Sequence, residues 1–369
     1  MRILHLSALG TTKNNTGIVN QLEYEKRAVD ILNIEWDTLL VTDLYDNIGD
    51  SRLDHVILYP RWLRYRLIKR FFVYRTIRKL MRQYDIIIMR YLPVDFFLLF
   101  VNFKNTKLFF VHHTKEGKVY DQYPNKFLSK FYRNAEFLLF KLNKNKAYGF
   151  MAVTNEIIRY EYGRGYSDQK KSFCIPNGIL ISNIFLDRAS ETEKVNLVFV
   201  STKFYYWQGL ERLLESINVY KGGIDFELHI VGDLSSAQRL LVENNHFHDK
   251  LFIYGRLTTI EINKILMKSD VGLTGLNIKG LLSEASPLKV REYLNFGLGV
   301  YSQISDSALP SDFEYYRIGE PNIEEILRFG LWIKETEKVQ IKKISRYFID
   351  KVNIINNTHM WLTNTVGKC

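Results

Sequence analysis

Glu284, Lys289 and Glu292 are the residues whose types and spacing could do chemistry. They lie in the run Ser283-Glu-Ala-Ser-Pro-Leu-Lys-Val-Arg-Glu-Tyr-Leu-Asn-Phe-Gly297. An ammonium can neutralise phosphate, and a carboxylate can bind neighbouring hydroxyls. The punctuation of the run predicts a short helix that would position them. Ser286 reads as its N-cap, and Pro287 suits the first helical position, where its missing N–H is no loss. Gly297 can adopt the left-handed conformation that ends a helix. Val290, Tyr293, Leu294 and Gly297 share one face, the expected core face, and Lys289, Glu292 and Phe296 share another. Glu284 falls in the loop before the cap. Free N–H groups around Ser286, Pro287 and Leu288, with the helix dipole, would attract a phosphate. Together these groups would hold a nucleotide sugar. The same run also reads as a surface helix whose Lys289 and Glu292 form an exposed i,i+3 pair, worth a few tenths of a kcal/mol.

The elements around this run alternate. Residues 2–7 read as a buried strand, followed by a loop from Ala8 to Thr16 and a helix over 17–33. That is the opening of a Rossmann-like domain. It lacks a Gly-x-Gly-x-x-Gly, so a dinucleotide fingerprint is not supported. Strands follow at 36–41 and 55–58. The apolar runs 85–90 and 107–111 read as central parallel strands. The second of them leads into His112-His113-Thr114-Lys115-Glu116-Gly117. Polar residues just past the carboxyl end of such a strand are where open α/β sheets bind ligands. Strand alternation sends His112 and His113 to opposite faces, so only one should reach a cleft. Two loop histidines without a role is the plainer reading. A long amphipathic helix is expected over 124–145, a strand over 149–153 and a helix capped by Thr154-Asn155. Ser172-Phe-Cys-Ile-Pro-Asn-Gly178 reads as a strand ending in a turn.

The polar stretch 187–194 reads as a linker, after which the alternation restarts. Strands are expected at 196–201, 226–232, 251–255, 271–275 and 300–303, with helices between them. Residues 322–332 and 338–365 read as helical. A chain of 369 residues fits two domains better than one. Hydrophobic content of 46% with 25% charged residues is globular. Two cysteines, Cys174 and Cys369, exclude a disulfide scaffold and a cysteine metal site, and suit a reducing cytoplasm. The N-terminus reads as a strand, not a signal peptide. The longest apolar run, 96–103, is far short of the ~18 residues of a membrane span.

The net charge is +11, and nine positive charges lie between Pro60 and Tyr84 with no acidic residue among them. They are Arg61, Arg64, Arg66, Lys69, Arg70, Arg75, Arg78, Lys79 and Arg82, interleaved with Trp62, Tyr65, Phe71, Phe72 and Tyr74. A basic, aromatic, helical segment reads as a surface for anionic lipid, where each Lys or Arg contributes about 1 kcal/mol. It also reads as a solvated helix with Leu67, Phe71 and Ile77 packed on the core. A third reading is single-stranded nucleic acid; the expected partners do not include it.

The spacing of Glu284 and Glu292, Glu-x7-Glu, within Ser286-Pro-Leu-Lys-Val-Arg-Glu-Tyr-Leu-Asn-Phe-Gly297 resembles the donor-site signature of retaining GT-B glycosyltransferases of family 4. The order of strands and motifs resembles that family over nearly the whole chain, most specifically in 172–178 and 195–303. Ile175-Pro-Asn-Gly178 is similar to the motif that closes its N-terminal domain. The resemblance implies an α/β chain of GT-B architecture, two Rossmann-like domains with parallel sheets facing across a cleft. Residues 1–180 would form the acceptor domain, with a C-terminal helix about 345–369 packing back on it. Residues 190–344 would form the nucleotide-sugar donor domain.

The resemblance also implies roles. Glu292 would bind the ribose hydroxyls, and Glu284 would contact the donor sugar and stabilise an oxocarbenium-like transition state. N–H groups of Ser286 to Leu288 would hold the β-phosphate. One of His112 or His113 would orient acceptor or sugar, and Gly10 and Asn15 of the first loop would help hold the acceptor. The family's Gly-Arg and Lys-Gly, which neutralise the departing diphosphate, are not matched. The segment here reads Ser201-Thr-Lys203-Phe-Tyr-Tyr-Trp207-Gln208-Gly209-Leu-Glu-Arg212, with Gln208 where the Lys should stand. Some cation is needed, because a nucleoside diphosphate leaves with two or more negative charges. Lys203, Arg212 and Lys289 are the candidates. The absence of an Asp-x-Asp between the domains fits a metal-independent reaction with no cofactor besides a UDP- or GDP-type donor. The basic stripe suggests a carbohydrate or lipid-linked acceptor at the inner, cytoplasmic face of a bacterial membrane.

Overall fold

The computed structural model describes residues 1–8, 16–42, 53–58, 66–103, 105–122, 125–181, 193–277 and 284–367. The chain divides into two compact units, 1–180 with 351–369, and 181–350. Each is built on one parallel sheet, as apolar strands separated by helices require.

The first unit holds β1 (Ile3–Ala8), β2 (Trp36–Thr42), β3 (His55–Leu58), β4 (Ile86–Arg90), β5 (Lys107–His112), β6 (Gly149–Ala152) and β7 (Lys171–Cys174). Their order in the sheet is β3-β2-β1-β4-β5-β6-β7. Helices α1 (Thr16–Leu32), α2 (Arg66–Leu80), α3 (Lys126–Asn143) and α4 (Asn155–Arg164) connect them. Ile86, Ile87, Ile88 and Phe109, Phe110 are fully buried. A central parallel strand is covered on both faces, so it reads as a continuous apolar run rather than an alternation.

The second unit holds β8 (Val195–Lys203), β9 (Phe226–Asp233), β10 (Leu251–Gly255), β11 (Val271–Thr274), β12 (Glu284–Ala285), β13 (Gly299–Ser302), β14 (Ser305–Asp306) and β15 (Tyr316–Ile318). Six of these form the order β10-β9-β8-β11-β13-β15, and β12 pairs with β14 apart from them. The helices are α5 (Leu210–Asn218), α6 (Ser236–Glu243), α7 (Thr259–Lys268), α8 (Leu288–Asn295), α9 (Ile323–Lys334) and α10 (Lys338–Ile349). Thr258 caps α7 in a reciprocal capping box with Glu261.

The stretch 338–365 is helical as expected, but in two pieces that meet at Asp350, whose backbone is extended, so the last helix starts at 351 rather than about 345. The second piece, α11 (Lys351–Val366), lies against α1 and buries Ile355 and Leu362 with Ile3 and Trp36 in the core of the first unit. No helix among the described residues is long and apolar enough to cross a membrane.

Candidate functional site

In the second sheet the strand order reverses between β8 and β11. Chain leaving those two strands runs in opposite directions and leaves a crevice at their carboxyl ends. A cavity of about 300 Å³ lies there. Trp207 and Gln208 line it from the loop after β8, Thr274 and Gly275 from the end of β11, and Ser302 and Ile304 from the end of β13. Ala285, Pro287 and Lys289 enter from the run that precedes and opens α8. Gly209, next to Gln208, lets the loop approach the chain after β11: its φ is +76°, and a Cβ there would meet the Leu276 backbone at 2.4 Å.

Helix α8 begins one residue later than its punctuation suggests. Pro287 occupies the cap position with extended backbone, and no side chain caps the helix. Ser286 is therefore not the N-cap. Its Oγ accepts instead from Arg291 Nη2 at 3.1 Å. Pro287 has no N–H, so the first-turn donors are those of Leu288 and Lys289, which lack intrahelical acceptors. Gly297 ends the helix with φ +71°. Val290, Tyr293 and Leu294 are buried as expected, but so is Phe296, which does not share the outer face of Lys289 and Glu292. Glu284 lies in β12 and not in a loop: its strand pairs with β14. Its Oε2 accepts from Ser307 Oγ at 2.5 Å.

The three candidate cations are placed differently. Lys289 lines the cavity, half-buried, with Nζ donating to the Val200 carbonyl at 2.9 Å. Burial pushes its pKa down to about 8, against the pull of the Glu292 carboxylate. The Arg212 guanidinium is occupied by Glu320 at 2.7 Å and Gln303 at 3.1 Å. Lys203 is exposed, 5.5 Å from the ring centroid of Tyr205, which stacks on Trp207. Gln208, standing where a Lys was expected, donates to Ser201 Oγ at 2.6 Å and the Lys203 carbonyl at 3.4 Å.

In the first unit the two histidines separate as alternation requires. His112 is fully buried, its ring stacked on Tyr91 at 4.7 Å and its Nε2 3.3 Å from the Tyr166 hydroxyl. It packs as a core residue, and His113 is the one of the two that reaches the surface. His113 is partly exposed, and burial with the nearby Arg90 holds it neutral, well below the usual imidazole range. His112→Ala is expected to cost about 2–4 kcal/mol in thermal unfolding, as a buried ring is lost. His113→Ala, at a partly exposed ring, should cost less than that.

Sequence reasoning passed over Glu116, three residues on. It is buried, and burial pushes its carboxyl up to about 7 against the attraction of Arg90. Only its place past the end of β5 could have drawn attention to it. Gly10, Asn15, Arg61 and Arg64 lie outside the described residues, as does the side chain of Lys69. Arg70 and Arg78 are tied to the neighbouring backbone: half-buried Arg70 donates to the Pro93 and Val94 carbonyls, and exposed Arg78 donates one N–H to that of Phe100. Phe71 is exposed rather than packed, while Val73, Tyr74 and Ile77 carry the core contact of α2. Arg75, Lys79 and Arg82 are exposed.

Two parallel sheets, each with helical crossovers and a ligand-sized cavity at one switch point, allow a comparison with solved structures. The whole chain superposes on all of a glycosyltransferase from Rickettsia africae, with TM-score 0.71 and 13% identity. The fold is GT-B. The apo form of the lipopolysaccharide outer core galactosyltransferase WaaB is similar at TM-score 0.67 and 13% identity, over 99% of this chain and 100% of that one. So is a protein of Listeria monocytogenes described as a UDP-N-acetylglucosamine 2-epimerase, at TM-score 0.56 and 13% identity, over 100% of this chain and 98% of that one. No family model and no curated sequence matches the chain.

Proposed function

We propose that the protein is a retaining, metal-independent glycosyltransferase of the family 4 kind. It moves a sugar from a nucleotide diphosphate sugar to a hydroxyl acceptor. The observation that carries this reading is the cavity at the β8/β11 switch point, with Lys289 and the first turn of α8 in its wall. A diphosphate there meets a positive helix end and an ammonium, the two devices that bind phosphate without a metal. Lys289 is the cation of choice, because Arg212 is occupied by Glu320 and Lys203 stands in solvent. The N–H groups of Leu288 and Lys289 hold the β-phosphate. Glu292, one turn on and exposed, binds the ribose hydroxyls. Glu284, held by Ser307, contacts the donor sugar and stabilises the oxocarbenium-like charge. His113 orients the acceptor in the first unit.

The likeness to a lipopolysaccharide galactosyltransferase supports a lipid-linked oligosaccharide or glycolipid acceptor of bacterial surface polysaccharide synthesis. The enzyme would then work peripherally at the inner membrane face. Among the described residues of the basic stripe, exposed Arg75, Lys79 and Arg82 are available for that role.

A thermal-shift panel of UDP, GDP, ADP, CMP and TDP tests the donor site. One nucleotide diphosphate at 100 times its Kd should add about 2.7 kcal/mol of stability. Glu292→Ala should abolish that response. Silence toward all five would favour a non-catalytic GT-B protein. The likeness to an epimerase favours one rival activity. Conversion of a nucleotide sugar without any acceptor would establish it.

A further inference from the structure

Helix α3 is capped by Asn125, whose side chain accepts from the Phe127 and Leu128 amides. One face packs inward: Glu136, Phe140 and Asn143 are buried. Glu136 there accepts from the Tyr91 hydroxyl at 2.8 Å and pairs with Arg164 at 2.7 Å. The outward side is not the polar face such a helix normally shows. Phe127 is 78% exposed, Phe131 60%, Leu138 58% and Leu142 52%. They recur at i, i+4, i+11 and i+15, so they form one stripe along the helix. Beside it runs a second exposed stripe, Lys126, Lys130, Arg133 and Lys141, with exposed Phe137 among them. The one carboxylate of α3 is the buried Glu136. The segment Phe97–Phe100, which packs against both α3 and α2, adds exposed Phe100 and its neighbour Phe96, whose rings lie 5.1 Å apart.

We propose that the outer face of α3 is a membrane-contact surface, its Phe/Leu stripe inserting among the acyl chains of an anionic bilayer and its Lys/Arg stripe lying on the headgroups. An exposed row of phenylalanines and leucines is costly in water and marks an interaction site. Which partner it fits is decided by what flanks it. Four cations and no exposed carboxylate suit a surface of uniform negative charge. A protein interface centre is depleted of lysine, which is the commonest charge here. Long basic side chains beside aromatic and aliphatic anchors are the composition of helices that lie in the bilayer interface. The helix is level with that plane and does not cross it. This surface lies on a different helix from the basic stripe of α2, and it deepens the proposed peripheral location without depending on the donor-site chemistry.

The test is partition of the full chain onto vesicles, comparing pure phosphatidylcholine with phosphatidylcholine containing phosphatidylglycerol. The wild-type protein should prefer the anionic vesicles. The combined variant Phe127→Ser, Phe131→Ser, Leu138→Ser should lose on the order of a hundredfold in partition on both kinds. The combined variant Lys130→Glu, Arg133→Glu, Lys141→Glu should lose about fivefold or more per cation on anionic vesicles only, and with it the salt dependence. All these positions are exposed, so both variants should keep the wild-type unfolding temperature and nucleotide response. That separates this inference from the donor site. Wild-type binding untouched by both variants overturns it, as does a wild type that binds neither vesicle. A wild-type dimer that the serine variant dissociates, with vesicle partition unchanged, overturns it in favour of a second copy of the chain.

Discussion

Lys289→Met is expected to lower sugar transfer by about 10²–10³-fold, with a matching loss of nucleoside diphosphate affinity. The magnitude is that of removing one preorganised charge or donor aimed where negative charge develops. Lys289 is the candidate cation that lines the cavity, and its Nζ is already anchored on the Val200 carbonyl. Little reorganisation is then needed as the leaving group gains charge. Its pKa, near 8 without ligand, adds a pH signature. As pH rises through about 8 the free protein loses the proton. A bound diphosphate favours the ammonium and draws the proton back. Affinity should therefore fall above pH 8, and binding there should take up a proton. Calorimetry in two buffers of different ionisation enthalpy would read that uptake. The sign for stability is opposite to that of a salt-bridged lysine. The unfolded chain holds this proton up to about 10.5, the folded chain only to about 8. Between those values the unfolded state binds more protons, so this group's contribution to stability rises with pH. Lys289→Met should remove both the proton uptake and that rise. An affinity flat from pH 7 to pH 10 would place the diphosphate away from Lys289.

Much of this architecture was legible because apolar runs and turn residues act locally. Ile86–Met89 and Leu108–Val111 read as buried strands, and Gly297 as a helix end, from their own residues. The parallel α/β arrangement follows from strands spaced by helices, and GT-B from the order of the motifs. What was misread depends on contacts remote in sequence. Glu284 belongs to a strand because Ser305 and Asp306 come alongside. Ser286 is not a cap because Arg291 claims its hydroxyl. Arg70 and Arg78 look like surface charge in a list, yet the carbonyls of 93, 94 and 100 take them up. Alternation separated His112 from His113, but which side packs on Tyr91 is a property of the tertiary fold. Helix α3 was legible as amphipathic. Its pattern did not reveal that the buried face is the one carrying Glu136 and Asn143, leaving phenylalanines outside.

Arg291→Met should destabilise the second unit by about 3–5 kcal/mol, read by thermal or denaturant unfolding. The Arg291 guanidinium and the Asp306 carboxylate are both fully buried and bonded in a two-point pair, with Nη2 2.8 Å from Oδ1. Arg291 also donates to the Pro287 carbonyl at 3.3 Å. Removing the cation leaves Asp306 charged and buried, and an unpaired buried charge is what makes such losses large. Asp306 would keep the Ala308 amide, at 3.0 Å, as a partial partner. The double variant Arg291→Met, Asp306→Leu should regain most of the loss, because neither charge then remains to be desolvated. The two measurements separate stability from function. Arg291 ties the chain at Ser286 and Pro287 to β14, and so fixes where the first-turn amides of α8 point. The double variant should fold yet bind a nucleoside diphosphate more weakly, with Lys289 and Glu292 intact. If it regains both stability and affinity, the pair holds the fold without aligning the site. If it regains stability alone, the buried ion pair is the positioning element that turns a helix end into a phosphate cradle.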